Sequence, residues 1–198
     1  MPKPSDSDRR ELSKAARDLT AWFEEEGVPG VLIGGFAVGV VARARSTKDV
    51  DAMVFLEDDM TPAMRDSLVA KGFDPRTDDA FGFATRHNVL LLTHRETGRS
   101  VDLSFGMMPF EREACERGVT HVTSAGRLRV ATGEDIVIMK VVAGRAQDWS
   151  DVDLIVRLDR KLDRARILDW CGQFAELLEA PERMTRLRGI LAEHPAIG

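Results

Sequence analysis

Apolar residues recur at helical spacing from Leu12 through Ala15, Ala16, Leu19, Trp22 and Phe23, which predicts an amphipathic helix over residues 8–26, ended by Gly27 and Pro29. The period then shortens. Residues 31–33 form an apolar run that reads as a strand, 36–42 as a short helix, and 49–56 as a second strand. Thr61 and Pro62 open a further helix to Lys71, closed by Gly72, and 74–79 read as a polar turn. Alternation predicts strands at 81–85, 89–93 and 100–105, the last two joined by Arg95-Glu96-Thr97-Gly98, with short strands near 119–123 and 127–130. From Thr132 onward the pattern is helical. Thr132 caps a helix at the Asp135 amide that runs to Gly144; others cover 150–158, a stretch around Ile167–Leu178, and 182–193 after Pro181.

This order predicts an α+β fold: a mixed sheet flanked by helices, with a helical C-terminal part. It also suggests a core over residues 1–130 with an N-terminal helix, and a helical region over 131–198 packed on it.

Within the predicted strands, the polar positions carry the chemistry. Val31-Leu32-Ile33 runs into Gly34-Gly35, and the next strand opens with Asp49-Val50-Asp51. Side chains two apart on a strand share a face about 6–7 Å apart. Asp49 and Asp51 can therefore bracket metal ions, while Val50, Ala52, Val54 and Leu56 face a core. Glycines without Cβ let a chain turn sharply and let a phosphate lie against backbone N–H groups at a helix N-terminus. Asp102 sits in the strand 100–105 opposite to Val101, Leu103 and Phe105, where a carboxylate needs a partner or a metal. Taken alone, Gly-Gly is a turn and Asp-x-Asp a solvated cap. Together, in strand–turn–helix–strand order, they point to a site for a metal and a phosphate.

Gly34-Gly35, Asp49-Val50-Asp51 and Asp102 resemble the signature of the DNA polymerase β-like nucleotidyltransferase superfamily. The stretches Ile33–Val38, Arg45–Asp51, Val130–Ile136, Lys140 and Arg145–Asp151 resemble its stand-alone, abortive-infection toxin-type branch, and the likeness spans residues 28–160. The resemblance implies Asp49, Asp51 and Asp102 as catalytic residues and ligands of Mg²⁺ or Mn²⁺, with Asp102 completing the metal site or acting as base. It also implies that Gly34, Gly35, Arg45, Thr47, Lys48, Lys140, Arg145 and Asp148 bind the nucleotide. A nucleoside triphosphate would be the substrate, the acceptor a hydroxyl of tRNA or protein, and a cognate antitoxin a partner. Other branches act on aminoglycosides or lincosamides, and a non-catalytic nucleotide-binding or antitoxin-pairing module is the further alternative.

Lys140 stands among Ile136, Val137, Ile138, Met139, Val141 and Val142, either snorkelling at a helix edge or reaching a triphosphate. Arg145 and Asp148 have the spacing to pair across one helical turn.

Composition narrows this picture little. In 198 residues the net charge is −5, which argues against broad nucleic-acid binding, although Arg160, Lys161, Arg164, Arg166, Arg183, Arg186 and Arg188 offer a local basic patch for RNA. Cys115 and Cys171 lack metal-ligand spacing, and the four histidines are scattered, so zinc chemistry is not expected. No apolar run reaches the roughly 20 residues of a membrane helix, and no signal-peptide core follows Met1, so a cytoplasmic location without membrane contact is expected.

Overall fold

The computed structural model describes residues 5–42 and 47–196. Contacts divide the chain into two compact units: residues 5–37 with 47–131, and residues 38–42 with 132–196.

The first unit is built on a seven-stranded mixed sheet of order β3-β4-β5-β2-β1-β7-β6. The strands are β1 (Gly30–Ile33), β2 (Asp49–Val54), β3 (Phe73–Pro75), β4 (Val89–His94), β5 (Arg99–Phe105), β6 (Val119–Thr123) and β7 (Gly126–Val130). β2 runs parallel to β5 and β1 parallel to β7; the other pairs are antiparallel. One sheet face is apolar and fully buried, through Val50, Ala52, Val54, Leu90, Leu92, Val101 and Leu103. Helix α1 (Asp6–Glu26) packs on β1, β2, β5 and β7, burying Leu12, Ala15, Ala16, Leu19, Trp22 and Phe23. The Phe23 ring lies where a Cβ on Gly30 would stand, 2.8 Å away, so β1 must begin with glycine for α1 to lie this close. Ser5 caps α1. Its hydroxyl donates to the Asp8 carboxylate at 2.6 Å, and with Arg99 it holds Asp8 down at about 2.

The helices α2 (Gly34–Val41), α3 (Pro62–Ala70), α4 (Ala80–His87) and α5 (Pro109–Arg117) join these strands. Two of them depart from the pattern reading. Residues 81–85 form part of α4 rather than a strand. The alternation Phe81, Phe83, Thr85 suggested a strand, but i,i+4 pairs prevail: Ala80 and Ala84 are buried together, and Phe83 packs on His87 at 4.2 Å. α5 was not foreseen, although its start is marked. Pro109 occupies the first turn, and the Glu111 carboxylate accepts from the Met107 and Met108 amides at 2.7 and 2.9 Å. β3 also takes in Asp74 and Pro75 of the segment read as a polar turn.

The second unit holds α6 (Gly133–Ala143), α7 (Ala146–Leu158), α8 (Arg164–Leu177) and α9 (Pro181–Glu193). Its core is Ile136, Ile138, Val152, Ile155, Val156, Ile167 and Leu187. Thr132 caps α6 as the sequence indicates, accepting from the Asp135 amide at 3.2 Å. Among the described residues no helix is long and apolar enough to cross a membrane.

Candidate functional site

On the second face of the sheet, the stretch where β2 and β5 begin is polar and half-buried, and it gathers the three carboxylates. Asp51 lies beside Asp102 in the parallel β2–β5 register, with Asp49 beside Ser100 two positions earlier. Register partners and i,i+2 residues project to the same side. Asp49, Asp51, Ser100, Asp102 and Ser104 therefore share this face, opposite to the core residues Val50, Ala52, Val101 and Leu103.

Each carboxylate has its own support. A Cβ on Gly34 would stand 2.0 Å from Asp51 Oδ2, and Gly34 has φ +66°. The glycine at the β1–α2 junction is thus required twice, by its left-handed backbone and by the Asp51 carboxylate that fills the space of its missing side chain. The strand passes straight into α2 at Gly34, with Gly35 in the helix's first turn, so the helix starts two residues before the expected position. The Thr47 hydroxyl donates to Asp49 Oδ1 at 3.0 Å. Asp102 Oδ1 accepts from Arg76 Nη2, an ion pair that sequence spacing did not foretell, because β3 itself was missed. Lys48 is exposed beside them. Arg45 lies outside the described residues.

Carboxylate oxygens on one face, from adjacent strands, are the hard donor set that Mg²⁺ or Mn²⁺ takes, with substrate phosphates completing the shell. By donor chemistry and register, Asp49, Asp51 and Asp102 fit such an ion. Among the described residues, the group whose ligand atoms lie within 4.8 Å of one another is a different one, Asp153, Glu193 and His194. There, His194 Nε2 and Asp153 Oδ1 already pair at 3.0 Å. The carboxylates of the sheet are more widely spread, each of the outer two turned to its own partner, Thr47 or Arg76.

Lys140 is neither exposed nor a simple snorkelling residue. Its ammonium lies 2.8 Å from Asp148 Oδ1 and 3.0 Å from Asp151 Oδ2, and the three side chains are 11%, 5% and 2% exposed. Arg145 pairs with Asp148 across one turn, through Nε at 3.1 Å and its amide at 3.2 Å. The arginines considered for RNA docking mostly serve the helices. Arg166 pairs with buried Asp135 at 2.9 Å, Arg164 donates to Leu191 O at 2.8 Å, Arg183 donates to Val142 O, and Arg186 stacks on Trp149 at 4.7 Å.

A cavity of about 210 Å³ lined by Leu56, Asp58, Asp59, Arg65, Phe81 and Gly106 lies past the C-terminal ends of β2 and β5. Asp49 opens β2, some five residues or about 16 Å back along the strand. This hollow is separate from the carboxylates.

No family model matches the chain, and no curated protein matches it in sequence. Solved structures do match in fold. An antigenic nucleotidyltransferase-like protein from Paracoccidioides brasiliensis superposes with a TM-score of 0.56 at 15% identity, over 100% of this chain and 97% of that one. The antibiotic-resistance factor ANT(2'')-Ia gives a TM-score of 0.54 at 15% identity, over 88% and 96%. The lincomycin-bound lincosamide antibiotic adenylyltransferase LnuA gives 0.51 at 14% identity, over 80% and 100%. The chain therefore has a nucleotidyltransferase-like α+β fold.

Proposed function

We propose that the protein is a metal-dependent nucleotidyltransferase that moves a nucleoside monophosphate from a nucleoside triphosphate to an acceptor hydroxyl. The observation carrying this reading is the register that sets Asp51 beside Asp102, with Asp49 on the same face. Asp49 and Asp51 would hold Mg²⁺ or Mn²⁺, and Asp102 would complete the set or accept the proton of the attacking hydroxyl. When bound, such an ion would supply charge neutralisation for the entering and leaving oxygens of an in-line displacement. Gly34 and Gly35 admit the triphosphate to the start of α2, and Thr47 keeps Asp49 oriented. By resemblance, Arg45 and Lys48 would add to the nucleotide site.

The motif resemblance favours tRNA or a protein as acceptor, in a toxin–antitoxin setting with a cognate antitoxin. A second reading is favoured by the fold neighbours, two of which act on or resist antibiotics: the acceptor would then be a hydroxyl of an aminoglycoside or lincosamide.

Calorimetric titration of each of the four nucleoside triphosphates with Mg²⁺ tests the core of this function. Saturable binding to the wild type and its loss in Asp49→Asn/Asp51→Asn is the expected result. Absence of binding to the folded wild type would reject it. Transfer of label from an α-³²P-labelled triphosphate to tRNA, protein, tobramycin or lincomycin then separates the acceptors.

A further inference from the structure

Arg76 reaches the carboxylate site from two strands away. Pro75 registers with Leu92, and the Arg76 amide donates to Leu91 O at 3.0 Å, which continues the β3–β4 register by one residue. Leu91 registers with Asp102, and Asp102 with Asp51. Arg76, Leu91, Asp102 and Asp51 thus form one row across four strands on the polar face. At about 4.8 Å per strand, Arg76 starts about 10 Å from Asp102, and its extended side chain crosses the half-buried Leu91 to meet Oδ1.

A purely structural role explains this pair poorly. Both partners are about one-third exposed, and ion pairs at that exposure add little to stability. The edge strand β3 is already tied down by its ladder to β4 and by the Arg95–Asp74 pair. What the guanidinium does alter is the charge of the site: it places one positive charge on a carboxylate oxygen that a divalent cation would use.

We propose that Arg76 is a positioning residue of the carboxylate site, which holds Asp102 in the row and competes with a divalent cation for it. The inference rests on the nucleotidyl-transfer reading and deepens it. A cation entering alone must displace the guanidinium. A cation arriving with a triphosphate brings phosphate oxygens that can receive the released arginine, so Arg76 makes metal loading depend on the nucleotide.

The test is Mn²⁺ titration of the full chain, followed by the electron paramagnetic resonance signal of the free ion, without nucleotide. Arg76→Met keeps the aliphatic stem over Leu91 and removes the charge. It is expected to tighten Mn²⁺ binding about ten-fold, the size of effect a unit charge near a divalent ion exerts at about 6 Å in a water-like medium. Arg76→Lys should restore near-wild-type affinity, and in an Asp102→Asn background Arg76→Met should have no effect. Unchanged or weaker binding in Arg76→Met, or the same gain without Asp102, overturns the proposal. Should Arg76→Met lose its far-UV circular dichroism, Arg76→Gln takes its place in the same comparison. Mn²⁺ binding that is lost in Asp49→Asn/Asp51→Asn yet indifferent to Arg76 sinks this inference alone. No Mn²⁺ binding to any folded variant, Arg76→Met included, also overturns this inference, while the Mg-nucleotide titration decides the transfer reading separately.

Discussion

Gly34 shows how one missing side chain shapes a site. Its φ of +66° would cost an L-residue about 1–2 kcal/mol, and an added Cβ would also displace the Asp51 carboxylate. Gly34→Ala is therefore expected to lower stability by at least that amount and to weaken Mg-nucleotide binding in the folded fraction, as read by urea denaturation and calorimetry. Unaltered nucleotide affinity would show that the Asp51 position does not matter to binding. His94 makes a second residue-level case. It is buried against Phe73, with Nε2 3.2 Å from Asp18 and Nδ1 2.9 Å from Thr97 Oγ1. Burial pushes its pKa below the ordinary 6.5, and the positive charge of Lys14 adds to this while Asp18 opposes it. The unfolded chain then binds a proton near pH 6.5 that the folded chain refuses. Stability is full above pH 6.5 and falls as the pH drops through 6.5 toward the folded value. A urea midpoint that is lower at pH 5.5 than at pH 7.5, with a flatter dependence in His94→Gln, is the expected outcome.

Elements were legible where one period ran long enough. The α1 stripe, the β4 and β5 alternation and the Thr132 cap could all be read directly. α4 could not, because two aromatics two residues apart satisfy a strand pattern, and only the packing of Ala80 and Ala84 decides for a helix. The end of α5 depends on another element altogether. Arg129 of β7 donates to Cys115 O at 3.0 Å and Glu116 O at 3.1 Å, satisfying carbonyls of the last turn, and to Gly30 O of β1 at 3.1 Å. Arg129→Ala should cost about 1–3 kcal/mol in chemical denaturation, since the carbonyls of buried Cys115 and Gly30 lose a charged donor. In the helical unit, α6 and α7 share the Lys140–Asp148–Asp151 cluster. Lys140→Met leaves two buried carboxylates without their shared cation, for an expected loss of about 3–5 kcal/mol. A change below about 1 kcal/mol together with weaker nucleotide binding would instead assign the ammonium to phosphate.

At the scale of the molecule, charge placement matters more than charge total. The net charge is −5, and Arg164, Arg166, Arg183 and Arg186, which a helical pattern presents as a basic face, are engaged with carbonyls, Asp135 and Trp149. Fluorescence anisotropy with a labelled RNA duplex of arbitrary sequence in 150 mM salt should show no saturable binding tighter than about 10⁻⁴ M, the weak end of non-specific association. Low-micromolar binding would reveal a basic surface other than these arginines.

Local rules acting on the sequence determined the α+β class, most of the long elements, the alternation that puts Asp49 and Asp51 on one face, and the Thr132 cap, because periodicity and turn chemistry depend only on near neighbours. Tertiary structure alone decided the rest. Asp51 meets Asp102, about fifty residues on, only through the parallel pairing of β2 with β5. Arg76 reaches that pair only because a three-residue strand docks on β4 in the matching register. Lys140 is matched by Asp148 and Asp151 only when α7 folds back on α6. Such pairings are set by register and packing between distant segments, which no local pattern in the chain encodes.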